Sequence, residues 1–350
     1  MKTIKLKFVD LWRNPNIEET LWYRAFEQAG YSVELSDEPD YLFYSVFGHE
    51  HLLPIYDNCI KIARYAEVST PDFNLCDYAV GMDQIQSRDR FQYFPDFLYG
   101  EPNRDYSTME QVLSKGKDIE KDLAAKREFC SFVYSNGRSA DPIREQAFKA
   151  ISKYKPVRSG GRFLNNIGIL DGVKDKHAFQ SEHKFAIAYE NTSYPGYTTE
   201  KLLEAFAAHT VPIYWGDPMV KEVFNEKAFI CAHDYPTMDA LIQRIQEVDE
   251  DDVLYAQMLS EPAFLHPEEN SVDLWYDRYT SFIKHILDQS KEEAFRRPRY
   301  AYGKYYLQEM RHAFYPTPVK DAGRVMIQTL KKIVPINIKR RINNYIRERK

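Results

Sequence analysis

Residues 185–218, FAIAYENTSYPGYTTEKLLEAFAAHTVPIYWGDP, constrain the fold of this chain more than any other stretch. The apolar run at 185–191 predicts a strand, and a loop closed by Gly196 leads into a helix over about 199–209. A second apolar strand, 211–216, follows at once. A strand, a helix and a strand in immediate succession form a β-α-β unit, which predicts a parallel sheet.

The remainder of the chain also alternates between strands and helices. Helices are predicted over 17–30 and from near Pro142, since proline is tolerated in a first helical turn. Strands are predicted at 3–9, 31–35, 41–47, 61–67, 77–82 and 129–135. This alternation predicts an α/β architecture built on largely parallel sheets.

A chain of 350 residues is too long for one compact core, so two domains are expected. The segment between residues 99 and 126 is loop-like and then charged and weakly helical, which indicates a boundary near Asp122. We therefore predict an N-terminal α/β domain over 1–122, a C-terminal α/β domain over 123–300, and a helical extension with a tail over 301–350. The two α/β halves would face a cleft.

Composition excludes several classes of protein. With 44% hydrophobic and 28% charged residues, the chain is globular, and its 26 Tyr and 21 Phe suit either sugar- or base-stacking faces or an aromatic core. No run of 18 apolar residues occurs and the N-terminus lacks a signal-peptide core, so neither a membrane span nor a secretion signal is expected. The cysteines form no CxxC pair, which argues against zinc or a disulfide framework and for a reduced compartment: Cys59, Cys76, Cys130 and Cys231.

The β-α-β unit places chemistry at one edge of the predicted sheet. Its first strand delivers Glu190 and Asn191 to the carboxyl end, where ligands bind in open α/β sheets. The first turn of the next helix carries residues 197–201, and free amides at a helix N-terminus favour an anion such as a diphosphate. Lys201 is unusual there because the helix dipole favours carboxylates, and a bound diphosphate would explain it. The alternative is a helix cap at 199–200 beside a solvated lysine.

The same residues resemble the donor-binding motif of the bacterial α1,3/4-fucosyltransferases. That motif contains an E-N pair, then Y-x-T-E-K and then P-x-Y-W-G. This sequence supplies Glu190 and Asn191, residues 197–201 and residues 212–216. The resemblance extends upstream and covers roughly residues 60–285.

Membership of that family would imply a GT-B fold, in which two Rossmann-like domains face a central cleft. It would also imply GDP-fucose as donor, inversion at the anomeric carbon and no essential metal. By resemblance, Arg144 and Lys201 contact the diphosphate, because without a metal the leaving group needs fixed cations. A solvent-facing helix charge is the alternative for Arg144. The whole donor set implied by the resemblance comprises Arg144, Glu190, Asn191, Tyr197, Thr199, Glu200 and Lys201.

An inverting transfer also needs a base that takes the proton of the acceptor hydroxyl. The family uses a glutamate shortly before a P-D/N-F segment, and Glu67 stands four residues before the PDF segment at 71–73. Glu67 therefore resembles the catalytic base. Bacterial relatives tend to have G-E-N around this glutamate, whereas this chain has A-E-V. Asp72 and Asp77 are the neighbouring alternatives.

Other titratable residues lack partners at the spacing of metal ligands. His183, His233 and Asp234 are therefore interpreted as structural, and no metal site is predicted. Gly160 and Gly161 predict a backbone turn beside the donor.

The last 20 residues are basic, with eight Lys/Arg and one Glu, although the whole chain carries a net charge of −5. Their apolar residues recur at helical spacing against a cationic face: Ile338, Ile342, Tyr345 and Ile346. This pattern is typical of a helix on an anionic membrane surface, and a packed terminal helix is the alternative. Nucleic acid is not an expected partner because the rest of the chain is acidic.

The sequence therefore predicts a metal-independent, inverting fucosyltransferase. By resemblance, it adds L-fucose from GDP-fucose to the GlcNAc of Galβ-GlcNAc (N-acetyllactosamine) glycans, at the 1,3 or 1,4 position. The alternatives are the same fold with another GDP-sugar or acceptor, and an inactive sugar-binding module. The expected location is the bacterial cytoplasm, peripheral to the inner membrane. The linkage, the exact acceptor, the oligomeric state and the need for the tail stay open.

Overall fold

The computed structural model describes residues 2–13, 15–98 and 107–316. Parallel sheets dominate this part of the chain, so the predicted α/β fold class is confirmed. The first sheet has the order β2-β1-β3-β4-β5-β6, and all its strand pairs are parallel. Its strands are β1 (Lys2–Val9), β2 (Tyr31–Leu35), β3 (Tyr41–Ser45), β4 (Ile60–Tyr65), β5 (Tyr78–Gly81) and β6 (Phe91–Tyr93).

The second sheet has the order β11-β10-β9-β7-β8 and is again entirely parallel. Its strands are β7 (Glu128–Phe132), β8 (Val157–Ser159), β9 (His183–Tyr189), β10 (Val211–Trp215) and β11 (Ile230–Cys231). The β-α-β unit predicted within residues 185–218 is formed by β9, a helix and β10, and the two strands are neighbours in the sheet. Its side chains are almost all buried, as expected for a parallel sheet covered on both faces.

Helices cover the sheets and continue the chain beyond them. Their bounds are α1 (Leu21–Gln28), α2 (Ser107–Ser114), α3 (Ile119–Ala125), α4 (Ile143–Ile151), α5 (Lys176–Ser181), α6 (Glu200–Ala207), α7 (Met238–Glu250), α8 (Asp252–Ser260), α9 (Val272–Asp288), α10 (Lys291–Ala294) and α11 (Ala301–Phe314). Short 3-10 turns lie between them. The helices α7 to α10 had no counterpart in the sequence analysis.

The helix predicted over 17–30 is interrupted near its start. A 3-10 turn covers Ile17–Glu19, and α1 begins only at Leu21. Thr20 separates them because its backbone is extended and its hydroxyl oxygen accepts a hydrogen bond from the Tyr23 amide at 3.2 Å. Thr20 thus acts as an N-cap, and the prediction of a single helix was wrong at this turn.

One continuous apolar cluster joins the two domains. It combines residues packed on the first sheet with residues of α6, β10 and the segments that follow. Phe97 belongs to this cluster, and its ring centroid lies 5.2 Å from that of Phe224 and 6.0 Å from that of Phe264. We call this cluster the apolar seam. Because burial of apolar surface is the main favourable term in folding, it holds the two domains together.

After the second sheet the chain returns to the first one, where α9 packs against α1. Asp77, fully buried before β5, accepts hydrogen bonds from the backbone amides of Arg296 and Arg297, both at 2.8 Å. It also forms an ion pair with the Arg297 guanidinium. The same guanidinium donates to the carbonyls of Asp57 and Cys59. These contacts fasten the C-terminal segment to the first sheet.

No helix in the described part of the chain is long and apolar enough to cross a membrane. The basic amphipathic tail predicted from residues 331–350 lies outside the described residues. Its membrane contact and the cytoplasmic location therefore stay predictions. The domain limits at residues 122 and 300 stay predictions as well.

Replacing Arg297 by alanine is expected to lower the free energy of unfolding by about 3 kcal/mol, because Asp77 is left buried without its cation. Urea denaturation followed by circular dichroism measures the change. Arg244→Ala is the control, because Arg244 pairs with Glu247 at the surface and its loss should cost about 0.5 kcal/mol or less. Equal losses in the two variants would contradict the fastening role.

Candidate active site

A cavity of about 630 Å³ opens between the two domains, where the loops after the strands of both sheets meet. Seven of the eight residues predicted for the site line it: Glu67, Arg144, Asn191, Tyr197, Thr199, Glu200 and Lys201. The eighth, Glu190, does not. Loops after β1, β3 and β4 and a few packed residues supply the first-domain wall: Leu11, Trp12, Pro15, Trp22, Ser45, Phe47, Arg64, Ala66 and Asp96.

Arg144 is a buried cation without an anionic partner. It lies in the first turn of α4, after the N-cap Pro142, and is only 2% exposed. Its guanidinium donates to the Tyr189 carbonyl at 2.9 Å and to the Asn191 side-chain oxygen at 2.8 Å, and it lies over the Tyr134 ring. Among the described residues, its Nε has no hydrogen-bond partner and its charge has no carboxylate counter-ion. The alternative that Arg144 is a solvent-facing charge is therefore excluded. The side of the cavity that Arg144 lines favours an anionic ligand.

Glu190 is fully buried at the end of β9 and holds the start of α6. One carboxylate oxygen accepts from the Thr199 amide at 2.8 Å. The other accepts from the Thr199 hydroxyl at 2.8 Å and from Lys201 Nζ at 2.9 Å. Lys201 thus already has a protein partner, which neither interpretation of the sequence, a diphosphate contact or a solvated lysine, predicted. Glu190 lies behind Lys201 and acts on the cavity through it.

The side chains at the start of α6 are ionised. Burial alone would lower the pKa of Lys201, but the carboxylates of Glu190 and Glu200 raise it above its ordinary value. Burial would likewise raise the pKa of Glu200, but Lys201 and Lys176 lower it to about 2. Lys176 also lines the cavity, and it pairs with Glu204 at 2.6 Å. Lys201 and Glu200 therefore stay charged across the neutral pH range.

Glu67 contacts the second domain directly. Tyr197, which is 1% exposed, donates its hydroxyl hydrogen to Glu67 Oε2 at 2.9 Å, although the two residues belong to different domains. The Asn191 side-chain amide reaches the same hydroxyl at 3.4 Å. The predicted base and six of the seven predicted donor residues therefore meet in one cavity.

The loop between β9 and α6 is anchored to the first domain at a second point. Tyr194 donates its hydroxyl hydrogen to Asp83 at 2.8 Å. Gly196 adopts a φ of 82°, and a Cβ at this position would lie 2.8 Å from the Met82 carbonyl oxygen. Only glycine fits both requirements, so the backbone of the two domains can approach closely here.

The two alternative bases do not face the cavity. Asp77 is paired with Arg297. Asp72 accepts a hydrogen bond from Tyr306 of α11 at 2.5 Å. Neither residue lines the cavity, whereas Glu67 does.

An ion pair on the first-domain wall was not predicted from the sequence. Arg64, at the end of β4, donates to Asp96 at 3.0 Å, and its guanidinium lies over the Trp22 ring. Burial raises the pKa of Asp96 to about 7, with Arg64 opposing the shift. Asp96 is therefore partly protonated near neutral pH. An arginine inside a buried strand, three residues before Glu67, was the available signal.

The histidines set aside from the sequence are engaged with the backbone. His183 and His233 each contact a carbonyl oxygen of the main chain. In the part of the chain that the structure describes, the group with the spacing of metal ligands is exposed and does not line the cavity: His266, Glu268 and Glu269. Metal independence stays a prediction.

Two parallel α/β domains, with a cleft at the carboxyl ends of their strands and a buried cation facing it, define a GT-B-type glycosyltransferase architecture. The chain belongs to the fucosyltransferase family of glycosyltransferases. The alpha-(1,3)-fucosyltransferase FucT N-terminal domain matches residues 6–100, and the C-terminal region of glycosyltransferase family 10 (fucosyltransferase) matches residues 123–270. The family resemblance seen in the sequence is thereby confirmed.

Individual relatives agree with this assignment. The chain is 31% identical over 325 residues to alpha-(1,3)-fucosyltransferase FucT of Helicobacter pylori, which covers 81% of this chain and 66% of that protein. It is 29% identical over 174 residues to a 3-galactosyl-N-acetylglucosaminide 4-alpha-L-fucosyltransferase of Bos taurus, over 49% of this chain and 46% of that protein. The chain thus spans less than two thirds of the length of both. A crystal structure of an alpha1,3-fucosyltransferase with GDP-fucose matches with a TM-score of 0.64 at 25% identity, over 81% of this chain and 91% of that one.

Replacing Glu190 by alanine is expected to lower the free energy of unfolding by about 3 kcal/mol, because Lys201 and the Thr199 amide lose a buried partner. Glu145→Ala is the control, since Glu145 pairs with Lys149 on an exposed helix face and should contribute about 0.5 kcal/mol or less. Urea denaturation of both variants gives the comparison. A loss for Glu190→Ala as small as that of the control would show that Glu190 does not organise the start of α6.

Proposed function

We propose that this protein is an inverting, metal-independent fucosyltransferase that transfers L-fucose from GDP-fucose to the GlcNAc of Galβ-GlcNAc acceptors. The observation that carries the proposal is Arg144, a buried cation whose Nε is unpartnered and which lines the cleft. Such a group calls for an anionic ligand with hydrogen-bond acceptors, and a diphosphate supplies both. Family membership and the related structure with GDP-fucose support this sugar nucleotide. The 1,3 linkage is favoured by the Helicobacter pylori relative, and the Bos taurus relative keeps 1,4 as the second candidate.

The diphosphate would lie between Arg144 and the start of α6. Lys201 Nζ, whose side chain is 14% exposed, and the Arg144 guanidinium face it from two elements. When the bond between the anomeric carbon and the phosphate oxygen breaks, negative charge develops on the phosphates. Cations that are already in place stabilise this charge without reorganisation. Arg144 and Lys201 would stabilise the charge on the leaving phosphates, as a divalent metal does in other transferases. For this reason we propose metal independence.

Glu67 would act as the base for the acceptor. The acceptor oxygen attacks the anomeric carbon on the face opposite the leaving group, the carbon–oxygen bond to GDP breaks, and its electron pair leaves with GDP. The hydroxyl proton passes to Glu67, and attack from the opposite face inverts the configuration at the anomeric carbon. The hydrogen bond from Tyr197 fixes one oxygen of the Glu67 carboxylate and leaves the second for the acceptor.

Glu67→Gln is expected to reduce transfer by about 10²–10⁴-fold and to leave GDP-fucose binding unchanged, because glutamine keeps the shape and loses the proton acceptor. Lys201→Ala should reduce transfer by about 10²–10³-fold and also weaken donor binding. Mass spectrometry of the product from GDP-fucose and N-acetyllactosamine, with EDTA present, measures transfer. Glu145→Ala serves as the unaffected control, since Glu145 does not line the cavity.

A fucosylated product that forms in EDTA and is lost in both variants supports the proposal. Loss of the wild-type product on chelation would contradict metal independence. No wild-type product, combined with a higher unfolding temperature in GDP, would overturn the fucose assignment while keeping a nucleotide site.

The affinity for GDP-fucose is expected to rise as the pH falls through about 7. Burial raises the pKa of Asp96 to about 7, and its ionised form places a negative charge in the cavity that takes the diphosphate. Protonation removes that repulsion, so binding should strengthen roughly threefold between pH 8 and pH 6. Isothermal titration calorimetry measures the affinity. The affinity of the Asp96→Asn variant for GDP-fucose should not change over the same pH range. The same slope in both proteins would refute the role of Asp96.

A further inference from the structure

Two aromatic rings stand in solvent at the edge of the cleft. Trp12 is 59% exposed and Phe47 is 38% exposed, and their ring centroids lie 5.0 Å apart. Both line the same cavity as Glu67, on the first-domain wall. Of the four tryptophans in the chain, Trp12 is the exposed one, whereas Trp22 is packed into the core. A paired apolar surface continuous with a binding cleft indicates a ligand contact.

Hydrogen bonds of Asp10 fix the position of this aromatic pair. Asp10, whose side chain is 5% exposed, accepts hydrogen bonds from the amides of Glu50 and His51 at 2.9 and 3.0 Å and contacts His51 Nδ1 at 2.7 Å. Its carbonyl accepts from the Phe47 amide at 3.3 Å. The loop after β1, which carries Trp12, is therefore tied to the loop after β3, which carries Phe47.

The backbone of both loops is specialised for this arrangement. Asp10 and Arg13, on either side of Trp12, adopt φ angles of 58° and 59°, which are unusual for residues other than glycine. A Cβ at Gly48, next to Phe47, would lie 2.3 Å from Asp10 Oδ1. Such conformations persist where the surrounding structure enforces them, and they concentrate at ligand sites. The aromatic pair is thus a built surface.

We propose that Trp12 and Phe47 form a subsite for the second sugar ring of the acceptor, the β-galactose attached to the GlcNAc that receives fucose. This inference rests on the proposed function. One face of a β-galactose ring presents the hydrogens of C3, C4 and C5, which are weakly positive and match the negative face of an aromatic ring. Glu67, in the same cavity, faces the reacting GlcNAc, and the aromatic pair holds the adjoining ring at the edge. The two rings would select disaccharide over monosaccharide acceptors.

Trp12→Ala is expected to raise the KM for N-acetyllactosamine about tenfold, with kcat and the KM for GDP-fucose within about twofold of the wild type. For free GlcNAc as acceptor, which lacks the galactose ring, kcat/KM should be equal in the two proteins. Trp12→Phe should restore most of the affinity, because a flat ring remains. Phe47→Ala should have the same direction of effect. Tyr302→Ala is the control, since Tyr302 is 71% exposed and does not line the cavity.

A second measurement does not depend on turnover. In the presence of GDP, N-acetyllactosamine should protect the tryptophan fluorescence from acrylamide quenching, and the protection should disappear in Trp12→Phe. GlcNAc alone should give no protection. Trp12 is the most exposed tryptophan, and the loss of protection in Trp12→Phe would assign the signal to it.

The outcomes separate this inference from the proposed function. If the wild type transfers fucose and Trp12→Ala keeps its KM for N-acetyllactosamine, the subsite is refuted and the proposed function stands. If the wild type transfers no fucose, the proposed function fails, and the quenching decides the subsite by itself. Protection by N-acetyllactosamine supports it, and unchanged quenching overturns it.

Discussion

The buried carboxylate of Glu190 is the interaction on which the site depends. It follows β9 directly, accepts hydrogen bonds from the Thr199 amide and hydroxyl at the start of α6, and binds Lys201 at 2.9 Å. A carboxylate with no exposure is stable only when its oxygens are satisfied, and here a strand end, a helix start and a lysine satisfy them together. The strand, the helix and the cationic side chain are thus fixed relative to one another. Arg144, on the neighbouring α4, completes the wall and keeps an unpartnered donor for a ligand.

The same loop joins the two domains. Tyr197 contacts Glu67, Tyr194 contacts Asp83, and Gly196 allows the backbone to approach Met82. Below these contacts lies the apolar seam around Phe97. Glu67, the proposed base, is therefore already oriented by its hydrogen bond from Tyr197 of the second domain. Core packing and a few polar contacts across the seam supply this preorganisation.

Much of this arrangement could be predicted from the sequence, because the β-α-β unit has a local signal. The apolar runs, Gly196 and the helix start predicted β9, α6 and β10 within a few residues. The family motif includes every residue of this unit that lines the cavity. What could not be predicted depends on contacts between distant segments. The pairing of Arg64 with Asp96 spans 32 positions, and the return of Arg297 to Asp77 spans 220. Glu190 was assigned to the ligand because its real partner, Lys201, meets it only when the helix is placed on the sheet.

The most direct test of this account is a crystal structure of the protein with GDP-fucose. We expect one diphosphate oxygen within hydrogen-bond distance of Arg144 Nε and another near Lys201 Nζ, with Glu190 still bound to Lys201 behind them. We also expect the anomeric carbon of fucose to face Glu67 across the cleft. A diphosphate bound elsewhere, or an Arg144 Nε that stays without a partner in the complex, would contradict the central claim.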